Sequence, residues 1–555
     1  MSIFRSIAGA CTRMFSFCGS GSFSVAVMLF AVLGFSLWTD KALPQAVPQG
    51  IVEEIEGELE ILHEDGEHGS RYHYFLKTRE GQRLTLIFFE KEPPTHVTSG
   101  ARVRVRGERA NNFLALQSGG GSVQVVAAAA PSTLGERRTL VVLVNFRNDT
   151  SQPYTVNYAS DKFFNTTSNF FLENSYQQTY LSGVVKGWYT IDMDKPINAA
   201  TCNTNLIASL AEQAAINEGV NLASYDHKVY AFPQTGCGWW GLSSVGGNPS
   251  QGWINGNFDL GATAHEFGHG LGLWHSHSLD CGTDAVVGTN CATNEYGDIV
   301  DMMGASQSAH FNAFQKERLG WLNAGASPTI RTVTSDGTYG LDAYESVSLG
   351  PKALKILKST DPISGAKTWY YVESRKAAGF DAFLGNESSQ NISNGLLIHT
   401  GTDGLGDSSH LLDMTPATPV YYWWYDPALS AGQTFIDPTS GLMITANTVN
   451  GSGASVTVRF GVVITVSTDR SSYNRNQTVS ISTTVKSNGV PVAKAPVSFS
   501  IKKSNATVVT GSVMTGTDGI AVYKLRLTKS DPLGVYEVTA TASTASAMTS
   551  FAVKQ

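Results

Sequence analysis

The chain has little charge, and the charges it has nearly balance. Asp, Glu, Lys and Arg make up 15% of its 555 residues, and 39 basic against 46 acidic side chains leave a formal net charge of −7. Soluble proteins average about 25% charged residues. Partners such as nucleic acid or an anionic lipid surface call for a basic excess that is missing here. The composition therefore argues against both as partners, and it leaves the oligomeric state open.

Long apolar runs are also scarce: the sequence has one, from Phe23 to Trp38, and no other segment could span a bilayer. Arg5 and Arg13 precede this run, and a Pro-containing stretch follows it. That order is typical of an export signal. The run is shorter than the ~20 residues that a membrane span needs, so a cleaved signal peptide over residues 1–46 is favoured over a retained signal anchor. We expect the protein to be secreted, on the cell surface or periplasmic, with membrane contact only through that anchor.

Cysteine is rare, with six in the chain. Two of them, Cys11 and Cys18, lie in the leader, which leaves four in the exported part: Cys202, Cys237, Cys281 and Cys291. An even number of cysteines in an exported protein predicts disulfide bonds, and four cysteines allow three pairings. We favour the bonds Cys202 with Cys237 and Cys281 with Cys291, the second of which would close a short loop.

The length predicts three or four domains, because single cores rarely grow beyond about 250–300 residues. Short alternating strands dominate both ends of the chain, whereas the middle combines an apolar strand over Thr139 to Phe146 with an amphipathic helix over Asn205 to Gly219. We therefore predict a multidomain α+β protein. Its predicted parts are the leader (1–46), a small OB-like β-barrel (50–126), a linker (127–138), a mixed α and β domain (139–325), a β-rich accessory domain (326–460) and an Ig-like β-sandwich (461–555).

One short stretch carries the clearest chemistry. His265 to His275 reads HEFGHGLGLWH, the pattern H-E-x-x-H-x-x-G-x-x-H. Positions four apart lie on one face of a helix, so His265 and His269 can direct ring nitrogens at a single metal ion, with Glu266 close enough to reach a water beside it. Gly272 permits the turn that ends the helix and brings His275 round as a third ligand. Three imidazoles leave a fourth position open, which is typical of a catalytic Zn²⁺ site with Glu266 as the general base.

Several neighbouring residues could be mistaken for ligands. His277 offers a second ring beside His275, but the G-x-x-H spacing selects His275. His310 fits a structural role better than a substrate-facing one. No recognisable loop spacing supports calcium, so solvated turns are the better interpretation of four carboxylates, Asp280, Asp284, Asp298 and Asp301.

The segment just upstream of the motif, Gly236 to Leu242, reads GCGWWGL and predicts a strand with two adjacent tryptophans. A strand with a free edge beside a metal cleft could align an extended peptide through main-chain hydrogen bonds, with Trp239 and Trp240 exposed. The alternative is an ordinary core strand in which both tryptophans are packed. The sequence favours neither.

Downstream, Tyr296 to Gly304 reads YGDIVDMMG, so a methionine and a glycine follow the histidine motif. This order resembles the metzincin metalloproteases, whose methionine turn lies beneath the three histidines. The segments GCGWWG, YGDIVDMMG, FNA and LGWL make the chain most similar to the gametolysin family, over roughly residues 139–460.

The resemblance implies a metzincin-like catalytic domain, with a mixed sheet and an active-site helix, over residues 139–325. In it the three histidines of the motif bind Zn²⁺, and Glu266 is the base. Met303 rather than Met302 becomes the turn methionine, because Met303 precedes Gly304. No Tyr follows Met303 within two residues, so a tyrosine that stabilises the oxyanion is not expected there and the metal takes more of that work.

We therefore expect an exported zinc endopeptidase that cleaves extracellular or cell-surface proteins or glycoproteins. The alternative is a catalytically inert adhesin or surface-binding protein on a peptidase scaffold, whose β-rich domains bind glycan or protein. Residues 50–126 could be a pro-segment or a permanent accessory domain, and they contain no cysteine with which to silence a metal ion. The ligand of the Ig-like domain stays open.

Overall fold

The structure, a computed structural model, describes residues 51–66, 69–88, 94–116, 122–129, 132–286, 291–306, 308–323, 325, 328–418, 425–487, 489–543 and 545–555. The chain divides into two units, Met1–Pro48 and Gln49–Gln555, and all described residues belong to the second. The expected leader over residues 1–46 lies outside the described residues. Within the described part of the chain, no helix combines the length and the apolar character needed to cross a membrane.

The N-terminal region folds as a closed ring of five strands. The ring strands are β1 (Ile51–Gly66), β2 (Gly69–Thr78), β3 (Arg83–Phe88), β4 (Arg102–Ala110) and β5 (Phe113–Leu116), and a sixth strand, β6 (Val123–Ala127), pairs with β4 outside the ring. β1 pairs with β2 and β4, β3 pairs with β2 and β5, and β5 pairs with β4. Alternation along β1 and β4 directs Leu59, Ile61, Val103 and Val105 into the core of the ring.

The middle of the chain is built on a mixed sheet with helices on both faces. Its elements are β7 (Gly135–Phe146), α1 (Val156–Asp161), α2 (Ser168–Asn174), β8 (Thr179–Ile191), α3 (Thr204–Asn217), β9 (His227–Phe232), β10 (Trp239–Ser244), β11 (Ser250–Asn255), α4 (Leu260–Gly270), β12 (Ser276–Asp280), β13 (Ala292–Asn294) and α5 (Ala313–Arg318). A π-helical turn, Lys162–Thr167, joins α1 to α2, and 3-10 turns cover Ala199–Thr201 and Leu222–Ser224.

The sheet order explains why β7 is apolar at successive positions. The strands run β10-β11-β9-β7-β8, with β10 antiparallel to β11 and the other pairs parallel. Val141 and Leu143 pack into the core that α4 covers, whereas Leu140 and Val142 pack into the core that α3 covers. A strand buried on both faces needs apolar side chains in both directions. The strand and the amphipathic helix expected in this region are both confirmed.

The β10 edge of this sheet is occupied. The last residues of β1 leave the ring and pair antiparallel with β10, from Leu62 opposite Ser244 to Gly66 opposite Trp239. β1 through β11 therefore form one continuous sheet of eleven strands.

The β-rich region that follows takes in strands from before residue 325. Its elements are β14 (Thr329–Val333), β15 (Gly337–Asp342), β16 (Pro351–Thr360), β17 (Lys367–Glu373), α6 (Gln390–Ser393), β18 (Gly395–Thr402), β19 (Leu405–Leu412), β20 (Leu429–Ser430), β21 (Thr434–Ile436), β22 (Met443–Asn450) and β23 (Gly453–Arg459), with 3-10 turns at Gly379–Gly385 and Glu387–Ser389. One sheet runs β13-β12-β19-β18-β17-β16-β14, and β15, β23, β22 and β21 form another. Because β12 and β13 follow the histidine motif directly, this sheet crosses the expected boundary at residue 325.

The C-terminal region consists of two sheets that share one core. Its strands are β24 (Val462–Thr468), β25 (Ser472–Asn474), β26 (Thr478–Ser487), β27 (Val490–Pro491), β28 (Pro496–Lys502), β29 (Val508–Met514), β30 (Ile520–Arg526), β31 (Gly534–Ala542) and β32 (Ala545–Lys554). One sheet contains β24, β26, β27 and β30, and the other runs β25-β32-β31-β28-β29. Ile481, Phe499, Val538 and Phe551 lie in the core that both sheets contribute to. The chain is thus multidomain and β-rich, with few helices.

Two disulfide bonds lie in the middle region, Cys202–Cys237 and Cys281–Cys291. They are the two pairings that the sequence favours. The first joins the segment before α3 to the segment before β10, and the second closes the loop between β12 and β13. Because these four thiols are paired, they are not available as metal ligands, and the histidines of the motif are left for that role.

Candidate active site

Helix α4 begins and ends at residues that its sequence marks. The Asp259 side chain accepts a hydrogen bond from the Ala262 N–H at 3.0 Å and so caps the first turn. After the helix, Gly272 has a φ of +98°, and its N–H donates to the His269 carbonyl at 2.7 Å. A side chain would strain the backbone at that φ. The turn that Gly272 permits returns the chain to the helix, so that His275 joins the two helical histidines.

The three rings of the motif are fixed in one orientation. In each ring Nδ1 donates to an oxygen that can only accept: the Met302 carbonyl at 2.8 Å for His265, the Leu273 carbonyl at 2.9 Å for His269, and the Glu295 carboxylate for His275. Nε2 of each ring is therefore free to act as a ligand. The Nε2 atoms of His265 and His275 lie 3.2 Å apart. All three rings are almost fully buried.

A carboxylate from the N-terminal ring faces these nitrogens. Asp65 of β1 places Oδ1 2.8 Å from His275 Nε2 and 3.7 Å from His265 Nε2, and it places Oδ2 3.4 Å from His269 Nε2. His63, two residues earlier on the same face of β1, has Nδ1 3.0 Å from His269 Nε2. Ligand atoms of His63, Asp65, His269 and His275 all lie within 4.8 Å of one another. We include His265 in the same group because of its distances to His275 and Asp65.

This donor set fits a metal cation. Acceptor lone pairs that face one another repel unless a proton or a cation lies between them, and imidazole with carboxylate is a usual ligand set for Zn²⁺. Asp65 is fully buried, and an isolated buried carboxylate is costly without a cation. Burial disfavours the charged form of His275, but Asp65 and Glu295 raise the pKa of His275 to about 9. Metal binding at this nitrogen would thus release a proton.

Glu266 lies beside this cluster in a closed environment. Its side chain is buried, and neither carboxylate oxygen has a hydrogen-bond partner among the described residues. It fits beneath Gly241 of β10 so closely that a Cβ at Gly241 would lie 1.6 Å from Glu266 Oε1. Burial and the neighbouring Asp65 carboxylate raise the pKa of Glu266 well above its usual range. A carboxyl group in this setting can accept and return a proton.

The comparison with known families agrees with this geometry. Residues 138–392 match the family described as Gametolysin peptidase M11. Over this segment the chain is similar to the gametolysin peptidases. The similarity supports a peptidase and implies a metal, and the match extends past residue 325 into the β-rich region.

Other comparisons add no argument. No curated protein matches the chain. Among solved structures, an alkylpurine DNA glycosylase of Pseudomonas fluorescens is 15% identical, with 17% of this chain and 30% of that chain covered and a TM-score of 0.14. A CARDB domain from Pyrococcus furiosus is 16% identical (17% and 89% covered, TM-score 0.14), and the D00-D0 domain of intimin is 22% identical (23% and 70% covered, TM-score 0.15). TM-scores this low carry no conclusion about the fold.

Both methionines of the expected methionine turn, Met302 and Met303, contact helix α4 or its histidines. A Cβ on Gly268 of α4 would lie 2.5 Å from the Met303 sulfur, so the Met303 side chain packs directly under the helix between the two helical histidines. Met302 contributes its carbonyl, which orients His265. The Met303 N–H donates to Asp301 Oδ1 at 2.6 Å, which holds the turn from below.

The two tryptophans of β10 point in opposite directions. Trp239 is 5% exposed and packs into the core that α3 covers. Trp240 is half-buried on the other face, with its ring centroid 5.1 Å from that of His265. Neither sequence interpretation is therefore correct as a whole, because successive strand residues face opposite sides. The edge of β10 is not free, since β1 is paired with it.

Two of the carboxylates expected in solvated turns are buried instead. Asp298 accepts hydrogen bonds from His399 Nε2 at 3.0 Å and from Asn312 Nδ2 at 3.3 Å. Asp301 accepts from the Asn312 and Met303 N–H groups, both at 2.6 Å. Burial and the neighbouring Asp298 raise the pKa of Asp301 to about 7. These carboxylates brace the methionine turn, and their expectation as solvated groups is wrong.

The two other histidines considered lie apart from the cluster. His277 Nε2 is 3.0 Å from Asp407 Oδ1, and its ring centroid is 6.5 Å from that of His275. His310 is buried, with Nε2 2.8 Å from Glu173 Oε1 and Nδ1 3.2 Å from Lys316 Nζ. Both rings have protein partners away from the three Nε2 atoms.

Sequence reasoning missed four residues of the site: His63, Asp65, Glu295 and Tyr296. The Tyr296 hydroxyl donates to Asp65 Oδ1 at 2.8 Å, and its ring centroid is 4.2 Å from that of His275. A signal for the first pair exists in β1, whose buried face changes from Leu59 and Ile61 to His63 and Asp65 with the same alternation. Polar residues that continue a buried face indicate a polar partner.

Proposed function

We propose that this chain is an exported zinc-dependent endopeptidase. The observation that carries the proposal is the convergence of three Nε2 atoms, each fixed by an Nδ1–H donor, beside a buried glutamate. The gametolysin family match supports a peptidase of the metal-dependent kind. In this proposal His265, His269 and His275 hold Zn²⁺ and Glu266 is the general base.

The finer architecture belongs to the same proposal. Residues 139–325 would form a metzincin-like catalytic domain, residues 50–126 an OB-like barrel and residues 461–555 an Ig-like sandwich. Residues 1–46 would export the chain, as a cleaved signal or as an anchor. The two disulfide bonds support an oxidising compartment outside the cytoplasm.

The chain's own residues divide the work as follows. When bound, Zn²⁺ lowers the pKa of a water molecule to about 7 and polarises a carbonyl group. Glu266 accepts a proton from the attacking water and passes it to the leaving amine, a role that suits a buried carboxylate with no hydrogen-bond partner among the described residues. The hydroxyl of Tyr296, which now donates to Asp65, would donate to the carbonyl oxygen of a bound peptide. Tyr296 would then share the stabilisation of the oxyanion, which the sequence alone assigns mainly to the metal.

The substrate that the geometry favours is an extended polypeptide of a protein or glycoprotein. β10 accepts an antiparallel strand along its edge, as β1 demonstrates from Leu62 to Gly66. Main-chain hydrogen bonds of this kind align a peptide without reading its side chains. Trp240, a residue of β10 whose ring packs against His265, would contact the peptide next to the cleaved bond.

The first experiment measures metal in the purified chain. We expect one zinc per chain by mass spectrometry, retained in Glu266→Gln and lost in His265→Ala and His269→Ala. The matched control is Glu218→Gln, since Glu218 follows α3 on the opposite face of the sheet and bonds only to Tyr189 among the described contacts. Zinc-free protein with intact histidines would overturn the assignment.

The second experiment measures hydrolysis. Because β1 covers the edge of β10, a substrate needs β1 to be released. We therefore insert the recognition sequence of a specific protease between residues 131 and 132. Casein hydrolysis is then measured before and after that protease cuts the chain. We expect hydrolysis that a zinc chelator abolishes and that Glu266→Gln lowers about 100-fold or more. No hydrolysis by either form with zinc bound would favour the alternative of an inert adhesin or surface-binding protein.

A further inference from the structure

β1 reaches the candidate active site as part of another structural region. Its first half pairs with β4 from Ile51 to Glu58 and closes the N-terminal ring. Its second half pairs on one side with β2 and on the other with β10. The strand therefore continues past the ring and lies along the edge that the proposed function gives to the substrate.

Only one face of this segment meets the metal cluster. His63 and Asp65 are both fully buried against the histidines, whereas Glu64 between them turns away and lies 3.0 Å from His73 on the neighbouring strand. This is the period-two alternation of a strand. His63 and Asp65, two residues apart on the buried face of β1, thus both contact the site.

The short side-chain contacts of Asp65 reach across to the other side of the interface. Its carboxylate oxygens contact the Nε2 atoms of the three motif histidines and accept from the Tyr296 hydroxyl. Asp65 Oδ2 has no hydrogen-bond partner among the described residues. A buried carboxylate oxygen that faces imidazole nitrogens instead of N–H donors is best satisfied by a cation that they share.

Further contacts hold the segment in place. Tyr72 of β2 stacks on His63 at a centroid distance of 4.1 Å and lies 4.9 Å from Trp274, and its hydroxyl donates to Asp407 at 3.2 Å. Ser70 donates to Glu295 at 2.9 Å, the same carboxylate that orients His275. Trp274 is completely buried within the core of the ring. The ring is therefore docked around the cluster and does not merely lie beside it.

We propose that Asp65 is the fourth protein ligand of the metal in the resting chain, and that β1 acts as a built-in competitor of the substrate. This rests on the proposed function of the site. With Asp65 at the open position and residues 62–66 along β10, neither a water molecule nor a peptide can reach Glu266. Hydrolysis then requires that β1 leave β10.

The primary test is spectroscopic and needs no turnover. The full chain is loaded with Co²⁺, and its visible absorption is compared for wild type, Asp65→Ala and Glu64→Ala. Asp65→Ala should change the spectrum and should lose the metal to a chelator at least about tenfold faster, because one ligand is gone. Glu64→Ala, the neighbour that faces away, should match wild type. If Asp65→Ala does not fold, Asp65→Asn, which keeps the shape of the side chain, is compared with wild type and Glu64→Ala in the same two measurements.

The second test follows from the competition. Cutting the inserted site between residues 131 and 132 and removing the ring should raise casein hydrolysis at least about tenfold, because a site that is open in a small fraction of molecules works at that fraction of its rate. Identical spectra and identical rates of metal loss for Asp65→Ala and Glu64→Ala would refute the assignment of Asp65 as a metal ligand. If the uncut chain hydrolyses casein as fast as the cut chain, the proposal that β1 competes with the substrate is refuted. A changed spectrum with no hydrolysis in any form would support the ligand and refute the peptidase assignment instead.

Discussion

Arg375 gives the sharpest prediction about what holds the methionine turn in place. Its guanidinium group is completely buried. It donates to Glu373 at 2.9 Å, to the carbonyls of Val300 and His310 at 2.7 and 3.0 Å, and to Asp381 at 3.2 Å. Because Val300 and His310 flank the methionine turn, one side chain from the β-rich region holds both ends of it.

Arg375→Met leaves these groups without their cation. Removing one partner of a buried ion pair costs about 3–5 kcal/mol, and each buried carbonyl left without a donor adds about 1–3 kcal/mol. Some of the loss is offset, since Glu373 keeps the Ala313 N–H at 2.8 Å and Asp381 keeps the His310 N–H at 2.9 Å. We therefore expect a loss near the upper end of the ion-pair range, about 5 kcal/mol in the free energy of unfolding.

The assay is thermal unfolding of the full chain, followed by tryptophan fluorescence, with zinc retention measured on the same samples. A loss of about 5 kcal/mol corresponds to a fall of about 10–20 °C in Tm for a region of this size. The control is Arg147→Met, whose exposed pairs with Asp192 and Asp194 are worth about 0–1 kcal/mol. A Tm for Arg375→Met no lower than that of the control, with zinc fully retained, would refute the reasoning.

Two further predictions concern catalysis and are measured on the cut chain. Gly241→Ala should lower hydrolysis about 100-fold with zinc retained, because the new Cβ would occupy the place of the Glu266 carboxylate; Gly451→Ala, which has no atom within 4 Å of its Cβ position, is the control, and equal rates for the two would contradict the close fit. Tyr296→Phe should lower kcat about 100-fold with KM and metal content unchanged, because it removes one donor to the carbonyl oxygen; an unchanged kcat would show that the hydroxyl serves only to hold Asp65.

The parts of the site that the sequence predicts are those that depend on local geometry. His265 and His269 are four residues apart on one helix, and Gly272 adopts the left-handed φ that the motif needs. The disulfide Cys281–Cys291 spans a short loop, so proximity along the chain is enough to suggest it. Strands with regular alternation are predicted for the same reason, because each residue's environment follows from its neighbours.

The parts that the sequence does not predict depend on pairing between distant segments. Asp65 is buried beside the histidines only because β1 aligns with β10, and nothing near Asp65 indicates that register. Asp298 looks like a turn carboxylate until His399 is placed against it by β18. The two tryptophans of β10 are adjacent and identical in type, so the sequence does not show which face of the strand each one occupies. In the structure they pack against different cores.

The pairing of β12 with β19 limits how far the chain can be shortened from its C-terminal side and still fold. A shortened gene that stops at residue 325 would encode the whole histidine motif yet would leave Ser276 to Leu279 with an unpaired edge where Ser409 to Leu412 now lie. Exposed strand edges of this kind promote aggregation. Expression of a trimmed form should therefore run at least to the end of β23 at Arg459, and insertions between residues 325 and 460 belong in the surface turns of that sheet.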